Sequence, residues 1–255
     1  MKALAINGGA GRMGQIMAAA LHASGQFSVN VLVDAREPHE LFGATYSPSW
    51  DGVDASRVDV VIDFSSPDGV VASAQWCAAN GKGLVIGTTG LTPEQQSAVE
   101  DAATKVGVVI AANYSVGAVL SEKFAALAAP YFERVEIIEL HHDKKADAPS
   151  GTSIAAAKGI AAARAEAGLA EINDPTVRHT VSGARGADTI GGIKIHSVRL
   201  PGLTAHQEIL FGGPGEGLTI RHDSFDRLSF VQGVALAVNA VDATPRLIDG
   251  IESLI

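Results

Sequence analysis

The feature that most constrains the fold is an alternation, over the first 113 residues, of short apolar runs with longer stretches of helical period. The runs KALAIN, VDVVIDF, GLVIGTT and VGVVIAAN are rich in Val, Ile and Leu, and helix-like segments of about a dozen residues separate them. Strands that are apolar at nearly every position are typical of a parallel sheet that helices cover on both faces. The sequence therefore predicts a doubly wound α/β domain.

The pattern changes after residue 113. The segments RVEIIELHH, IKIHSVRL, TAHQEILFG and EGLTIRHD have the composition of strands, and the last three follow one another through short glycine-rich turns. They predict a second, α+β domain over residues 114–222 that contains an antiparallel or mixed sheet. The last segment, FVQGVALAVNAVDATPRLIDGIESLI, has helical period, so we expect residues 223–255 to return to the first domain as helix.

Composition and charge exclude several classes of function. With 47% apolar and 18% charged residues, the 255-residue chain can fill two cores. A net charge of -9, with no basic patch larger than Lys144-Lys145, argues against nucleic acid and anionic membrane as partners. The single cysteine, Cys77, lies in the helix-like run AQWCAAN and is interpreted as a core residue in a reducing compartment. Because no apolar run has the length of a signal peptide or membrane span, we expect a cytoplasmic protein.

A glycine motif stands between the first strand and the first helix. Residues 9–14 read GAGRMG, a GxGxxG that permits a tight turn and brings a pyrophosphate to the positive end of the helix. Further on, Asp34 ends the next strand, where an acidic side chain can bind an adenosine ribose, although an aspartate there can also be an ordinary turn residue. Together these features predict a Rossmann-like dinucleotide site. Arg12 and Arg36 could each contact a 2'-phosphate, so the choice between NADH and NADPH stays open.

Small polar residues follow three later strands, in DFSSP at 63–67, GTTG at 87–90 and AANYS at 111–115. In a parallel sheet the carboxyl ends of these strands open onto one crevice. Their small hydroxyl residues suit the close approach of a nicotinamide ring, although ordinary strand-end turns have the same composition.

Charged residues are concentrated in one stretch of the predicted second domain, ELHHDKKADAPSGTS at residues 139–153. The stretch follows a strand and leads into an alanine-rich helix that starts near Thr152. The first amide groups of that helix, at Ser150, Gly151 and Thr152, lack intrahelical partners, and Pro149 stiffens the approach to them. The loop therefore predicts an anion site that a carboxylate would fill.

His141, His142 and Lys145 stand beside this predicted anion site. A histidine exchanges protons near neutral pH, and a lysine can donate a proton or bind a second carboxylate. The combination fits a small dianionic substrate that is clamped and protonated, and Asp147 is interpreted as a residue that fixes the loop.

Two other interpretations of the stretch are available. A metal site is disfavoured because adjacent histidines on an extended chain point to opposite sides and no further ligand completes a set. A polar surface loop with an ordinary helix cap would be the default from composition alone. The coexistence of the stretch with a nucleotide domain favours the substrate site.

The run ELHHDKKADAPSGT matches every fixed position of E-x-H-H-x-x-K-x-D-A-P-S-G-T, and in this it resembles the dihydrodipicolinate reductase family. The resemblance covers nearly the whole chain, because GAGRMG, DFSSP, GTTG, AANYSVG, GARGAD, IHSVRLPG, HQEILFG, GEGLTIRHDS and DRLSFVQG are similar to further family segments in the same order. It implies a nucleotide domain completed by the C-terminal tail and a middle domain that binds substrate and assembles a homotetramer. It also implies reduction of 4-hydroxy-tetrahydrodipicolinate by NADH or NADPH, with loss of water, in lysine and diaminopimelate biosynthesis.

The resemblance further implies roles for individual residues. His141 would be a proton donor or acceptor and Lys145 a proton donor, and no metal is implied. Substrate carboxylates would be held by His142, Ser150, Gly151 and Thr152. Cofactor contacts would come from Gly8, Gly9, Ala10, Gly11, Arg12, Met13, Asp34, Gly87, Thr88, Thr89, Ala111, Ala112, Asn113 and Tyr114. Family spacing selects Lys145 over Lys144, and Tyr114 stands where the family often has phenylalanine, so its hydroxyl is expected near the cofactor.

Two alternatives share part of this pattern. Another Rossmann oxidoreductase, such as an amino-acid or sugar dehydrogenase, would have the glycine motif but no reason to carry the second stretch. A non-catalytic nicotinamide-binding regulator would have little use for a proton donor beside an anion pocket.

Overall fold

The computed structural model describes every residue from Met1 to Ile255 and divides into two compact units. Unit 1 comprises Met1–Val116 and Arg227–Ile255, and unit 2 comprises Gly117–Asp226. The boundaries expected from the sequence, after residues 113 and 222, lie a few residues before these. No helix in either unit has the length and hydropathy that a bilayer crossing needs.

The chain forms twelve strands and six α-helices, numbered in chain order. The strands are β1 (Lys2–Asn7), β2 (Phe27–Val33), β3 (Thr45–Ser47), β4 (Val60–Asp63), β5 (Gly83–Ile86), β6 (Gly107–Ile110), β7 (Arg134–His141), β8 (Ala187–Asp188), β9 (Lys194–Arg199), β10 (Ala205–Gly213), β11 (Glu216–Ser224) and β12 (Arg246–Asp249). The helices are α1 (Arg12–Ala23), α2 (Pro67–Asn80), α3 (Pro93–Ala103), α4 (Val116–Ala128), α5 (Gly151–Glu166) and α6 (Val231–Ala240).

Unit 1 is built on a seven-stranded sheet in the order β12-β6-β5-β4-β1-β2-β3, and every neighbouring pair of strands is parallel. The central strands β4 and β5 are buried at all their positions, which explains their unbroken apolar composition. The prediction of a doubly wound parallel sheet is therefore confirmed.

Local sequence signals start and stop the helices of unit 1. Ser66 caps α2 through its side chain, and Gly81 ends that helix in the left-handed conformation. Thr92 and Gln95 form a reciprocal capping box at the start of α3. The helix α1 differs because its N-cap, Gly11, has no side chain to offer.

The interior of unit 1 is aliphatic and contains the single cysteine. Cys77 is fully buried in α2, in a cluster with Val70, Ala74 and Leu84. Burial raises the pKa of its thiol well above the ordinary value, so the group is a neutral thiol. The interpretation of Cys77 as a core residue is confirmed.

The C-terminal segment differs from the prediction of a continuous helix. The helix α6 ends at Ala240, and β12 then pairs in parallel with β6 at the edge of the sheet. Pro245 cannot continue a helix, and Asp242 stabilises a turn by accepting a hydrogen bond from the Thr244 amide. The helical prediction is therefore wrong beyond Ala240, although the segment does complete unit 1.

Unit 2 contains a five-stranded sheet in the order β11-β10-β7-β9-β8. Strand β10 pairs antiparallel with β7 and β11, whereas β7 and β9 are parallel, which confirms a mixed sheet. Residues of α4 and α5, among them Ala125 and Ile160, pack against Ile137 and Ile209 on one face of this sheet.

The inward-facing side of β7 begins apolar and ends polar. Val135 and Ile137 lie in the core, and Glu139 takes the next inward position, where it is fully buried. Glu139 stands opposite Gln207 of β10, whose side chain bonds Ser153 in the first turn of α5. The strand thus carries a carboxylate, and then His141, to the place where α5 begins.

Two glycines in the turn before α1 are required by close packing. Gly8 has a φ of +80°, and a Cβ there would lie 2.4 Å from the carbonyl oxygen of Phe64. A Cβ on Gly14 would lie 2.1 Å from the carbonyl oxygen of Gly8. Only glycine therefore lets α1 approach the turn this closely.

We expect Gly14→Ala to lower the melting temperature of unit 1, because the added methyl group must displace backbone; overpacking of this kind costs about 1–3 kcal/mol. The matched control is Gly159→Ala in α5, where a Cβ meets no atom within 4 Å. This control should stabilise the protein by roughly 0.5–1 kcal/mol, because alanine restricts the unfolded chain more than glycine does. Calorimetry measures both, and a Gly14→Ala protein that melts at or above the wild-type temperature would contradict the packing argument.

Candidate active site

The first candidate site lies in unit 1, where segments after parallel strands meet at one edge of the sheet. The predicted cofactor residues fall in these segments: residues 8–13 follow β1, Asp34 follows β2, residues 87–89 follow β5 and residues 111–114 follow β6. The structure thus brings together residues that are dispersed over more than a hundred positions of the sequence.

Backbone hydrogen bonds hold the glycine turn against β2. The amides of Gly8 and Gly9 donate to the carbonyl of Val33 at 2.9 and 3.0 Å, and the amide of Gly11 donates to the carbonyl of Gly8 at 2.9 Å. The first amides of α1, those of Arg12, Met13 and Gly14, have neither an intrahelical acceptor nor a side-chain cap. This arrangement can accept a pyrophosphate.

Asp34 lies beside the glycine turn and braces it. Its Oδ2 accepts a hydrogen bond from the Ala10 amide at 3.0 Å, and its Oδ1 accepts one from the Arg36 amide at 3.0 Å. Each carboxylate oxygen keeps a second lone pair, which a ribose hydroxyl could use. The side chain of Arg36 is 77% exposed and that of Arg12 is exposed as well, so both guanidinium groups are accessible from solvent.

A buried carboxyl group that the sequence analysis missed connects these segments. Asp63, at the end of β4, is fully buried and accepts hydrogen bonds at 2.6 to 2.9 Å from Asn7, Ser65, Ser73 and Thr88. It therefore ties the ends of β1, β4 and β5 to the helix α2. The available signal was the run VVIDF, in which one acid ends an otherwise apolar strand.

Tyr114 does not present its hydroxyl to a ligand. Its side chain is fully buried, the hydroxyl donates to the carbonyl of Ile86 at 2.7 Å, and the ring packs edge-on against Phe64. Burial raises the pKa of this hydroxyl. The expectation that the hydroxyl lies near a cofactor is wrong in this structure, and the backbone of residue 114 is the part that could contact one.

The residues at this edge of the sheet fit a nicotinamide dinucleotide. The positions of Gly8 and Gly14 leave no room for a Cβ, the first amides of α1 are open, and Asp34 offers a carboxylate beside them. These are the three requirements of a dinucleotide-binding turn.

The second candidate site lies in unit 2, in the loop between β7 and α5. Ser150 caps α5 by accepting a hydrogen bond from the Ser153 amide at 3.2 Å, and the Ser153 hydroxyl donates to Gln207 at 2.6 Å. The amides of Gly151 and Thr152 have no intrahelical acceptor, and the space beside Gly151 is open. The start of α5 therefore offers amide donors to an anion.

His141 is held by a buried ion pair. Its Nδ1 lies 2.5 Å from Oε2 of Glu139, and the two carboxylate oxygens of Glu139 each accept a hydrogen bond from Arg199 at 2.8 Å. A carboxylate only accepts hydrogen bonds, so in a neutral imidazole the proton is assigned to Nδ1 and the lone pair to Nε2.

The surroundings keep His141 neutral. Burial lowers its pKa, and the positive charges of Lys145 and Arg199 act in the same direction, which together outweigh the opposing effect of Glu139. Burial by itself would raise the pKa of Glu139, but hydrogen bonds from Arg199, Ser197 and His141 hold that pKa below its usual range. At neutral pH the cluster is therefore an ion pair beside an uncharged imidazole.

The two adjacent lysines have different surroundings. The Nζ of Lys145 lies 2.8 Å from both carboxylate oxygens of Asp147, and this contact lowers the pKa of Asp147. The carbonyl of Asp147 also accepts a hydrogen bond from Arg199 at 2.7 Å, so Asp147 fixes the loop as expected. Lys144 is exposed and forms no ion pair.

The remaining predicted residue, His142, is exposed, whereas its neighbour His141 is half-buried. No three His, Cys, Asp or Glu side chains of the chain come together as ligands for a metal ion. The roles of Glu139 and Arg199 were not predicted from the sequence. An acid at an inward position of an apolar strand was a usable signal for Glu139, but nothing in the sequence indicated its partner 60 residues away.

The second site can bind an anion and move protons beside it. The start of α5 supplies amide donors, Lys145 supplies an ammonium group, and His141 supplies an imidazole nitrogen without a hydrogen-bond partner at Nε2. These groups suit proton transfer at a carbon next to a bound carboxylate.

Two family models match the chain, and together they cover nearly all of it. The model described as "Dihydrodipicolinate reductase, N-terminus" matches residues 2–114, and "Dihydrodipicolinate reductase, C-terminus" matches residues 117–254. A likeness at the level of fold alone extends to a putative myo-inositol dehydrogenase from Sinorhizobium meliloti, with a TM-score of 0.63 and 14% identity over 94% of this chain and 89% of that one.

Proteins with more similar sequences are named as reductases. The 4-hydroxy-tetrahydrodipicolinate reductase of Cutibacterium acnes is 45% identical over 99% of this chain and 98% of its own, and that of Mycobacterium ulcerans is 46% identical over 97% and 96%. The dipicolinate-bound dihydrodipicolinate reductase of Paenisporosarcina sp. TG-14 is 39% identical, with a TM-score of 0.88 and full coverage of both chains. The chain therefore belongs to the dihydrodipicolinate reductase family.

Proposed function

We propose that this protein reduces 4-hydroxy-tetrahydrodipicolinate to tetrahydrodipicolinate with NADH or NADPH and loss of water, in lysine and diaminopimelate biosynthesis. The observation that carries the proposal is the loop before α5, which combines His141 and Lys145 with an anion-binding helix start in a chain that matches the family from end to end. A dehydrogenase for a neutral sugar would have no use for this loop.

The substrate is a small ring with two carboxylates. One carboxylate would accept hydrogen bonds from the amides of Gly151 and Thr152, beside the capping Ser150, and His142 would hold a carboxylate from the exposed side of the loop. The relative from Paenisporosarcina is described as bound to dipicolinate, a planar ring with the same two carboxylates, which supports this substrate class.

The chemistry requires proton transfers that His141 and Lys145 can perform. Loss of water needs a base at the ring carbon next to the imine carbon and an acid at the leaving hydroxyl group. Neutral His141 would take the proton of that carbon at Nε2, and the ammonium group of Lys145 would protonate the hydroxyl, which leaves as water. After reduction, the imidazolium returns its proton to the same ring carbon, and Lys145 regains one from solvent.

The glycine turn, Asp34 and the segments at 87–89 and 111–114 would hold the nicotinamide cofactor. When bound, NADH or NADPH supplies the hydride. Asp34 offers a carboxylate to the ribose of NADH, whereas exposed Arg12 and Arg36 offer positive charge to the 2'-phosphate of NADPH. We therefore propose that the protein accepts both cofactors. A cytoplasmic location is part of the same proposal.

The decisive experiment is a coupled assay. Freshly formed product of the aldolase-type condensation that makes the hydroxylated ring is supplied to the purified protein, and oxidation of NADH and of NADPH is followed at equal concentrations. We expect oxidation of both cofactors only when the ring compound is present. Turnover with a panel of sugars or amino acids instead, or none with fresh ring compound, would overturn the proposed function.

Replacement of Lys145 by methionine should lower kcat by about 10²–10⁴-fold, because the leaving hydroxyl would lose its proton donor. Lys144→Met is the matched control, since it removes the same charge from the neighbouring position, and it should stay within a few fold of wild type. Steady-state kinetics of the two variants, with melting temperatures to show that both fold, measures the difference. An equal loss of kcat in Lys145→Met and Lys144→Met would contradict the assignment of Lys145 as the proton donor.

We also propose that the protein is a homotetramer assembled through unit 2. Both α4 and α5 pack on one face of the five-stranded sheet, and the other face carries the partly exposed side chains Ile138, Leu140, Val198 and Leu210. These apolar side chains alternate with Glu136, His196 and Glu208. A partly apolar sheet face without a helix of its own unit supports self-association. Light scattering on the purified protein should give four times the chain mass of 26.2 kDa, and a monomeric mass would contradict this assembly.

A further inference from the structure

The carboxylate of Glu139, which lies behind His141, is unusual because it is a charged group buried at the end of strand β7. Glu139 has no exposed surface, and a carboxylate is costly to remove from water unless donors saturate it. Arg199 donates to both oxygens and His141 donates to one. An apolar residue at this inward position would pack in line with Val135 and Ile137, so stability alone does not explain an acid there.

The contact between Glu139 and His141 decides which ring nitrogen can react. Because Glu139 only accepts hydrogen bonds, Nδ1 of His141 must be the protonated nitrogen, and the lone pair must lie on Nε2. With the other tautomer, Nε2 would carry the proton and could not act as a base. A carboxylate behind a histidine controls the tautomer in this way in other enzymes.

Arg199 connects this carboxylate to the second proton-transfer group. Its guanidinium group bonds Glu139 of β7 and also the carbonyl of Asp147, whose carboxylate holds Lys145. One side chain of β9 therefore anchors both His141 and the loop segment that positions Lys145.

We propose that Glu139 is a positioning residue that holds His141 as the Nδ1-protonated tautomer, and that Arg199 fixes Glu139 and the Lys145 segment of the loop in a single arrangement. This inference rests on the proposed function for its catalytic consequence, although the tautomer itself does not depend on any substrate.

The charged groups around His141 predict how its titration responds to substitution. Glu139 of β7 favours the imidazolium, whereas Lys145 of the loop and Arg199 of β9 disfavour it. From β10 the facing residue is Ala205, which is uncharged, and Asp147 faces Lys145. Removal of Glu139 should therefore lower the pKa of His141, and removal of Arg199 should raise it.

The test compares Glu139→Gln, Arg199→Gln and the matched control Glu136→Gln. Glu136 lies on the same strand but on the opposite face, and it likewise bonds an arginine and a histidine, Arg185 and His196. We expect Glu139→Gln to lower kcat by about 10²–10⁴-fold with little change in KM, because its amide can donate to Nδ1 and stabilise the wrong tautomer. Glu136→Gln should leave kcat within a few fold of wild type.

The pH profile of kcat/KM separates positioning from a merely structural role. His141 must be neutral to act as the base, so its titration sets the acidic limb. Glu139→Gln should shift that limb to lower pH and Arg199→Gln should shift it to higher pH, with no shift for Glu136→Gln. A uniform loss in both variants without a shift of the limb would overturn the proposal.

The tautomer can be read directly from the nitrogen NMR spectrum of imidazole-labelled protein, with the His141 signals assigned by their loss in His141→Gln. Wild type should show a protonated Nδ1, and Glu139→Gln should show a larger Nε2-protonated fraction; a protonated Nε2 in the wild type would overturn the proposal. If Glu139→Gln fails to fold, the wild-type spectrum and the pH profile of kcat/KM for Arg199→Gln still test the proposal. A wild type with the expected tautomer but no turnover of the ring compound would refute the proposed function and leave the positioning geometry intact.

Discussion

A carboxylate buried at the end of a strand organises the second candidate site of this protein, in unit 2. Glu139 continues the inward alternation of β7 and is fully buried, so its charge must be met by donors from the protein. The donors that meet it are Arg199, Ser197 and His141, and Arg199 also donates to the backbone of the loop that carries Lys145. The hydrogen bonds that satisfy Glu139 therefore also fix the positions of two candidate proton-transfer side chains, His141 and Lys145.

In unit 1 a second buried carboxyl group, that of Asp63, organises the predicted cofactor site. Asp63 is buried at the end of β4 and gathers donors from β1, from α2 and from the segments after β4 and β5. Those segments carry residues proposed to face the cofactor. A buried network of this kind is stabilising only when every member is satisfied, which favours one arrangement of the strand ends over others.

Each unit also presents a helix start with open amides. The helix α1 has a glycine N-cap without a side-chain bond, and α5 has a serine cap that leaves the amides of Gly151 and Thr152 without acceptors. Helix starts of this kind bind anions through amide donors and the helix dipole, without a dedicated cation. This explains how a chain with a net charge of -9 can be suited to an anionic cofactor and a dianionic substrate.

The sequence by itself determined the local features of this protein. Hydrophobic period predicted the parallel and mixed sheets, the glycine spacing predicted the turn before α1, and the Pro-Ser-Gly-Thr run predicted the start of α5, because each of these depends on residues close together in the chain. Tertiary structure alone decided which distant side chains meet, such as Glu139 with Arg199 and Asp63 with Thr88, and it turned the end of the chain into β12. It also separated Lys145, bonded to Asp147, from exposed Lys144, and buried the hydroxyl of Tyr114. The physical reason is that the pairing of segments distant in sequence, which no local pattern encodes, selects the partner of each polar group.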